Sequence, residues 1–199
     1  MNYGFTMVVA RHAQTDSNAR GLWVGRGDDR LNEAGIEQSR VFARSISNIK
    51  FDMIVSSDML RSIQTAQIIS ESLRIPVIMR TPLIRDRDYG KLEGLTSDQI
   101  MREYGVKMNS LSPEIEEFAN AEPVQAVMGR AMKFMELYSQ LFSGKSVVVI
   151  THGAFIRAIY ELFVGKSDGI RFTNCASFML ESKGEEMRVV RGVTYIGNQ

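Results

Sequence analysis

Short apolar runs alternate along the chain with longer segments whose apolar residues recur at helical spacing. The apolar runs are typical of buried strands, and they occupy 5–10, 51–55, 76–79 and 146–150. The segments of helical period lie at 32–47, from about 58 onwards, at 121–142 and at 153–164. Towards the end of the chain, the pattern predicts two more strands, 176–182 and 186–196, joined by a turn at Lys183-Gly184.

This alternation of strands and helices predicts an α/β protein, a three-layer α/β/α sandwich with a mostly parallel central sheet. The segment 80–95 is charged and is interrupted by proline and glycine, and short helical pieces follow it at 96–104 and 113–119. We therefore predict a single domain over residues 1–199, with a helical lid inserted at about 80–130.

Composition and charge exclude several classes of partner. The 199 residues contain 24 Lys and Arg against 23 Asp and Glu, a formal net charge of +1, which argues against a broad nucleic-acid-binding face. Cys175 is the only cysteine, so no intramolecular disulfide can form. The sequence shows neither a signal-peptide pattern nor an apolar run near the ~20 residues that span a bilayer. We expect a cytoplasmic protein that binds neither nucleic acid nor membranes.

The chain contains only two histidines, and the pattern places both where buried strands end. His12 follows the first strand directly, beside Arg11, and His152 follows the strand at 146–150. Arg61 lies about one turn into the helix after the second strand. Ligands of open α/β sheets bind beyond the carboxyl ends of the strands. These four side chains are therefore predicted to meet at one edge of the sheet.

Two arginines and two histidines at one edge indicate a site for a phosphate group. Guanidinium groups match phosphate oxygens in shape and charge, and a neutral imidazole nitrogen can attack phosphorus as a nucleophile. A carboxylic acid with a raised pKa would then protonate the leaving oxygen. A single histidine at a strand end more often has a structural role, so this hypothesis depends on the combination.

Four segments resemble, in order, the motifs of the histidine phosphatase superfamily, also called the phosphoglycerate mutase-like family. RHAQTDSN at 11–18 is similar to Arg-His-Gly-x-Thr-x-x-Asn, and SSDMLRSIQTA at 56–66 to Ser-Ser-Asp-Leu-x-Arg-Ala-x-Gln-Thr-Ala. LIRDRDYGKLEG at 83–94 resembles the acid loop of the family, and THGAFIRAI at 151–159 resembles its second histidine motif. The matches run through nearly the whole chain and imply an enzyme of phosphoryl transfer.

The resemblance implies a catalytic role for each of five residues. His12 would be the nucleophile that is phosphorylated, and Arg11, Arg61 and His152 would surround the phosphoryl group. Asp86 stands four residues before a glycine, where the family places its proton donor. No metal ion is implied, and two histidines with one cysteine offer few ligands for a His/Cys metal site.

The resemblance also implies four substrate-binding positions. Asn18 matches the asparagine that contacts the phosphoryl group, and Thr15 and Gly153 match positions that shape the pocket. Tyr89 matches a mutase stretch within the acid loop and would line the substrate pocket.

Two departures from the family motifs matter for the chemistry. Ala13 replaces the glycine that usually follows the nucleophile, and Asp86 replaces a glutamate that is longer by one methylene. Asp88 and Glu93 are nearby alternatives for the acid, although Glu93 is expected to have a structural role in its loop.

The resemblance covers both phosphatases and cofactor-dependent phosphoglycerate mutases, so the fold alone does not decide between them. The stretch 86–95 resembles a mutase segment. Mutases, however, carry paired arginines in the insertion, whereas Arg102, Lys107 and Arg130 are well separated here. We therefore predict a phosphatase that acts on a small phosphorylated metabolite without a cofactor.

Two alternatives stay open. One is a phosphoglycerate mutase primed by 2,3-bisphosphoglycerate, and the other is a non-catalytic module that binds a phosphorylated ligand. The intact pair His12 and His152 argues against the second, and the replacement at Asp86 is the feature in its favour.

Overall fold

The computed structural model describes residues 4–76, 78–105, 109–183 and 186–196. Within these ranges the strands are β1 (Phe5–Arg11), β2 (Met53–Ser57), β3 (Ile78–Thr81), β4 (Ser146–Thr151), β5 (Ser177–Lys183) and β6 (Glu186–Thr194). The helices are α1 (Asp16–Ala19), α2 (Glu33–Ser45), α3 (Leu60–Leu73), α4 (Ser97–Tyr104), α5 (Ile115–Ala119), α6 (Val124–Phe142) and α7 (Gly153–Val164). Two short 3₁₀ turns occupy Pro82–Ile84 and Gly90–Leu92.

The strands form one sheet in the order β3-β2-β4-β1-β5-β6. The first four are parallel to one another, whereas β5 runs antiparallel to β1 and β6 runs antiparallel to β5. The predicted α/β fold with a mostly parallel sheet is confirmed. β1 and β4 are neighbours in parallel register, with Arg11 opposite Thr151, so the residues that follow them emerge side by side.

Both faces of the central strands β1, β2 and β4 are buried, which explains their continuous apolar runs in the sequence. Successive side chains of a strand point to opposite faces, and those of β1 divide accordingly between two cores. Val9 packs in a core with Phe134 of α6 and Phe155 of α7. Val8 packs in the other core with Phe42 of α2. The structure therefore has the predicted helix, sheet and helix layers.

Several predicted boundaries differ from the structure by two or more residues, and proline explains two of these differences. β3 begins at Ile78, not at Pro76, because proline has no N–H to donate to a neighbouring strand; Val77 lies outside the described residues. α6 begins at Val124, not at 121, because Pro123 holds an extended backbone with ψ of 140° at the helix start. The predicted turn includes Gly184, which also lies outside the described residues.

The buried side chain of Arg87 connects several parts of the segment between β3 and α6. Arg87 donates to the carbonyls of Ser112 (2.9 Å) and Glu122 (2.7 Å) and contacts the Glu116 carboxylate at 3.3 Å. These contacts hold the segment together. None of the helices in the described ranges combines the length and apolar character needed to cross a membrane.

Candidate active site

The two histidines meet beyond the carboxyl ends of β1 and β4, as the sequence predicts. Their ring centroids lie 5.1 Å apart at an angle of 59°. The backbone N–H of His12 donates to the carbonyl of Thr151 at 2.8 Å, which extends the β1–β4 pairing to the site. Arg61 enters from the first turn of α3, and its guanidinium is buried beside His12.

The hydrogen bonds of His12 define its tautomer. Nδ1 lies 2.7 Å from the carbonyl oxygen of Ala13, which can only accept, so Nδ1 carries the proton. Nε2 therefore has a lone pair, and it accepts from Arg61 Nε at 3.2 Å. Burial, together with the charges of Arg61 and Arg11, holds the pKa of His12 well below its usual range. The imidazole is neutral at pH 7 and directs its lone pair towards the arginine.

Arg61 is fixed by two backbone carbonyls of a glycine-containing loop. Its terminal nitrogens donate to Gly25 and Gly27, both at 2.8 Å. A side chain at Gly25 would place its Cβ 2.3 Å from the carbonyl oxygen of Arg87, so this close approach requires glycine. The guanidinium therefore has a single orientation, with Nε facing His12.

Asp86 is the carboxylate at the site, and it is almost fully buried. Its Oδ1 accepts from the backbone N–H groups of Arg87 (3.0 Å) and Ala154 (3.2 Å). Oδ2 lies 3.9 Å from a terminal nitrogen of Arg61. Burial raises the pKa of Asp86, although Arg61, Arg11 and the two N–H groups oppose the shift. Oδ2 is therefore the oxygen available to hold a proton.

Two buried nitrogens at the site lack a hydrogen-bond partner anywhere in the described ranges: Arg11 Nε and His152 Nδ1. Arg11 is otherwise anchored by donation to the carbonyl of Phe172 at 2.9 Å. The other ring nitrogen of His152, Nε2, lies 3.2 Å from the hydroxyl of Ser62. Buried polar groups normally have hydrogen-bond partners, so two nitrogens without one, one of them on an arginine, indicate a site that an anion completes.

The remaining predicted residues frame the same site. Thr15 caps α1 by accepting from the N–H of Asn18 at 3.2 Å, and it is fully buried. The side-chain oxygen of Asn18 accepts from Asn174 at 2.9 Å, which leaves the Asn18 amide nitrogen for a ligand. Gly153 begins α7, and a Cβ at this position would lie 3.8 Å from Arg11 Nε.

A cavity of about 330 Å³ opens over these groups, a size typical of sites for small molecules. Its polar wall includes Arg11, Asn18 and Asp86. Trp23 and Tyr89 also line the cavity, with their ring centroids 4.9 Å apart in an edge-to-face arrangement. Burial raises the pKa of Tyr89 well above 10, so its hydroxyl stays neutral.

The family model for the histidine phosphatase superfamily (branch 1) matches residues 7–193. The chain belongs to the histidine phosphatase superfamily. Its predicted resemblance is thus confirmed, and the match includes every residue named above as a candidate for catalysis or binding.

Relatives in the superfamily carry both phosphatase and mutase names. The chain is 27% identical over 184 residues to the protein named uncharacterized phosphatase PhoE of Bacillus subtilis (strain 168), which covers 91% of this chain and 90% of the relative. It is 32% identical over 170 residues to the 2,3-bisphosphoglycerate-dependent phosphoglycerate mutase of Rhizobium etli, covering 78% of each.

The histidine phosphatase fold is also found by structure. The solved structure of YhfR from Bacillus stearothermophilus has a TM-score of 0.84 to this chain at 20% sequence identity, and the match covers 96% of this chain and 99% of that one. At this identity the similarity shows the fold alone.

The structure brings together all nine residues that the sequence places at the site. Those in direct contact with the cavity are Arg11, Asn18, Asp86, Tyr89 and Gly153. His12, Arg61 and His152 are buried, and Thr15 caps α1. The alternative acids have structural contacts: Asp88 accepts from the N–H of Gly90 at 2.8 Å, and Glu93 from that of Arg26 at 2.9 Å.

Several residues of this histidine phosphatase site escape prediction from the sequence. Arg157 of α7 lines the cavity, with its nitrogens donating to Ser167 and to the carbonyl of Ile170. Ser62 replaces the alanine of the family motif, and this replacement is the sequence feature that could have drawn attention to it. In the described part of the chain, no group of three or more His, Cys, Asp or Glu residues is placed to hold a metal ion.

Proposed function

We propose that this protein hydrolyses small phosphomonoesters through a phosphohistidine at His12. One observation carries the proposal: a neutral imidazole with its lone pair at Nε2 and a carboxyl group whose pKa is raised both adjoin the guanidinium of Arg61. The neutral imidazole is the form that attacks as a nucleophile, and the raised pKa favours the protonated form that a general acid needs.

In the first step Nε2 of His12 attacks phosphorus, and the bond from phosphorus to the ester oxygen breaks. The leaving oxygen takes the proton from Asp86 Oδ2 and departs as the alcohol. Arg61 Nε, which donates to Nε2 in the resting protein, then donates to a phosphoryl oxygen instead. Arg11 Nε and Asn18 supply further donors as charge develops on these oxygens.

In the second step the Asp86 carboxylate takes a proton from water, and the water oxygen attacks phosphorus. The bond from nitrogen to phosphorus breaks, and its electron pair returns to Nε2 of His12. Inorganic phosphate leaves, and Asp86 is again protonated. The cycle consumes one water molecule and needs no metal ion or organic cofactor.

The contacts of Arg130 favour hydrolysis over mutase activity. Its guanidinium donates to the Glu122 carboxylate (2.8 and 2.9 Å) and to the carbonyls of Leu83 (2.6 Å) and Arg85 (3.0 Å). It is thus committed to the protein and does not offer a fork to a substrate carboxylate. Arg102 is exposed on α4 and does not line the cavity; Lys107 lies outside the described residues.

The mutase remains the second candidate, because the Rhizobium etli relative with that name is 32% identical. In that case 2,3-bisphosphoglycerate would prime His12. We also propose that residues 1–199 form one domain whose segment at about 80–130 acts as a lid, and that the protein is cytoplasmic. The contacts of Arg87 with Ser112 and Glu122 support the lid, since they make that segment one wall of the site.

The test is an assay of phosphate release from a panel of phosphomonoesters, together with 3-phosphoglycerate in the presence and absence of 2,3-bisphosphoglycerate. We expect phosphate release from the phosphomonoesters, and with 3-phosphoglycerate we expect it to be faster than isomerisation. Faster isomerisation that depends on the bisphosphate would replace the phosphatase by the mutase. Phosphate binding without any turnover would indicate the non-catalytic module.

A further inference from the structure

We propose that Ser62 is a positioning residue: its hydroxyl donates to His152 Nε2 and holds the second histidine as the tautomer protonated at Nδ1. The Nδ1–H group would then face the phosphoryl oxygens. The inference rests on the proposed function, because it gives His152 a donor role during transfer from the ester to His12.

The geometry supplies the two contacts that this role needs. Ser62 lies on α3, one residue after Arg61, and its side chain is fully buried. Its Oγ lies 3.2 Å from Nε2 of His152. On the other side of the ring, Nδ1 is buried and has no hydrogen-bond partner within the described ranges. One nitrogen is therefore fixed by the protein, and the other is left for a ligand.

The direction of the hydrogen bond follows from what each group can satisfy. In the described part of the chain, the hydroxyl of Ser62 has His152 Nε2 as its one side-chain hydrogen-bond partner. If Nε2 were the donor, the buried hydroxyl proton would have no acceptor, which is costly. Nδ1 would then present a lone pair to the anion, which is repulsive. Donation by Ser62 avoids both problems and leaves Nδ1–H as a donor.

Ser62 is a property of this chain and not of the family motif. The motif that 56–66 resembles has alanine at this position, and alanine cannot hydrogen-bond to the histidine. The alanine of the motif also indicates that Ser62→Ala fits the fold. The substitution therefore removes the hydroxyl with little disturbance of packing.

The tautomer can be observed directly, because the untagged chain has only two histidines. Ring ¹⁵N chemical shifts distinguish a protonated from an unprotonated nitrogen, and a His12→Ala sample assigns the signals of His152. We expect His152 to be protonated at Nδ1 in the unmodified protein and to show a mixture of tautomers in Ser62→Ala. Protonation at Nε2 in the unmodified protein, or an unchanged tautomer in the variant, would overturn the proposal.

The kinetic counterpart uses p-nitrophenyl phosphate. We expect Ser62→Ala to lower kcat about tenfold with KM changed less than about threefold, because the donor matters most where charge develops on the phosphoryl oxygens. Ser39→Ala is the matched control: Ser39 is equally buried, but its hydroxyl donates to the carbonyl of Gly35 on α2. We expect this control to keep the kcat of the unmodified protein.

Two outcomes separate this inference from the proposed function. If the unmodified protein hydrolyses no phosphomonoester, the proposed function fails, whereas the ¹⁵N spectra still decide the tautomer. If Ser39→Ala loses as much kcat as Ser62→Ala, the loss reflects packing and the positioning role of Ser62 is wrong.

Discussion

The nucleophile and the acid of this site are held in place by different means. His12 follows β1, the strand at the centre of the sheet between β4 and β5, and its position depends on backbone pairing that continues into the His12–Thr151 hydrogen bond. Asp86 lies on an irregular segment, and the guanidinium of Arg130 on α6 holds the carbonyls around it. Nucleophile and acid can therefore be disturbed separately.

This difference predicts which substitutions affect the acid without affecting the nucleophile. The sheet positions His12 by many cooperative hydrogen bonds, so its geometry is lost only with the fold. The acid loop depends on two charged side chains, Arg87 and Arg130, and the Glu122 carboxylate that pairs with Arg130 also accepts from Arg26 at 3.2 Å. A single substitution in this network can displace Asp86 while leaving His12 intact.

The largest effect is expected for the nucleophile. His12→Ala should lower kcat on p-nitrophenyl phosphate by more than about 1,000-fold, because it removes the Nε2 lone pair that attacks phosphorus. Circular dichroism and the urea midpoint should stay close to those of the unmodified protein. Retained activity in a folded His12→Ala protein would show that the nucleophile is elsewhere.

The next effect isolates the acid. Asp86→Asn should lower kcat on an alkyl phosphate about 100-fold, a typical contribution of general acid catalysis. The loss on p-nitrophenyl phosphate should be much smaller, since this leaving group needs little protonation. Parallel measurement of both esters gives the ratio, and equal losses would move the acid role away from Asp86.

The raised pKa of Asp86 predicts a pH dependence of both rate and stability. The acid must be protonated, so kcat/KM on alkyl phosphates should fall as the pH rises through the raised pKa. The folded protein also holds this proton more tightly than the unfolded chain. Its contribution to stability is therefore complete below the unfolded pKa of about 3.9 and is lost as the pH rises through the folded value.

The pH dependence has a matched control in Asp86→Asn, which does not titrate at this position. The pH dependence of kcat/KM and of urea unfolding should be compared between the unmodified protein and Asp86→Asn, from about pH 3.9 up through the raised pKa of Asp86. If the unmodified protein and Asp86→Asn lose stability in parallel as the pH rises, another group is responsible.

The smallest predicted effect tests how the acid loop is held. Arg130→Lys retains the charge but cannot reach the Glu122 carboxylate and the carbonyls of Leu83 and Arg85 together. We expect kcat on an alkyl phosphate to fall about tenfold and that on p-nitrophenyl phosphate to change little. Arg102→Lys, on the exposed face of α4, is the control. A loss confined to the aryl ester would contradict this account.

The same contrast explains what the sequence could predict. His12 and His152 follow apolar runs, and strand ends are visible in a local pattern, so their meeting at one edge could be expected. Asp86 could be placed only through the family motif, because its segment has no regular period. The contact of Arg130 with the Asp86 loop spans 44 residues, and no local pattern predicts such a pairing.

Other parts of the site also depend on contacts that leave no local pattern in the sequence. The carbonyls of Gly25 and Gly27 that orient Arg61 belong to a loop, and backbone acceptors have no sequence signature. The helical pattern extends α6 back to 121, whereas Pro123 keeps the preceding backbone extended and the helix begins at Val124. Ser62 was visible as a departure from a motif, but its contact with His152 becomes apparent only when α3 is packed against the sheet.

The hydrogen bond from Arg61 to the lone pair of His12 has a consequence for chemical modification. Reagents that acylate or alkylate imidazole react through an accessible unprotonated nitrogen, and here that nitrogen is both engaged and buried, with His12 only 1% exposed. A phosphoryl group can displace the guanidinium because its oxygens offer Arg61 a charged replacement partner. An uncharged electrophile offers Arg61 no such partner. In the resting protein, His12 is therefore expected to react with phosphoryl groups and to resist neutral imidazole reagents.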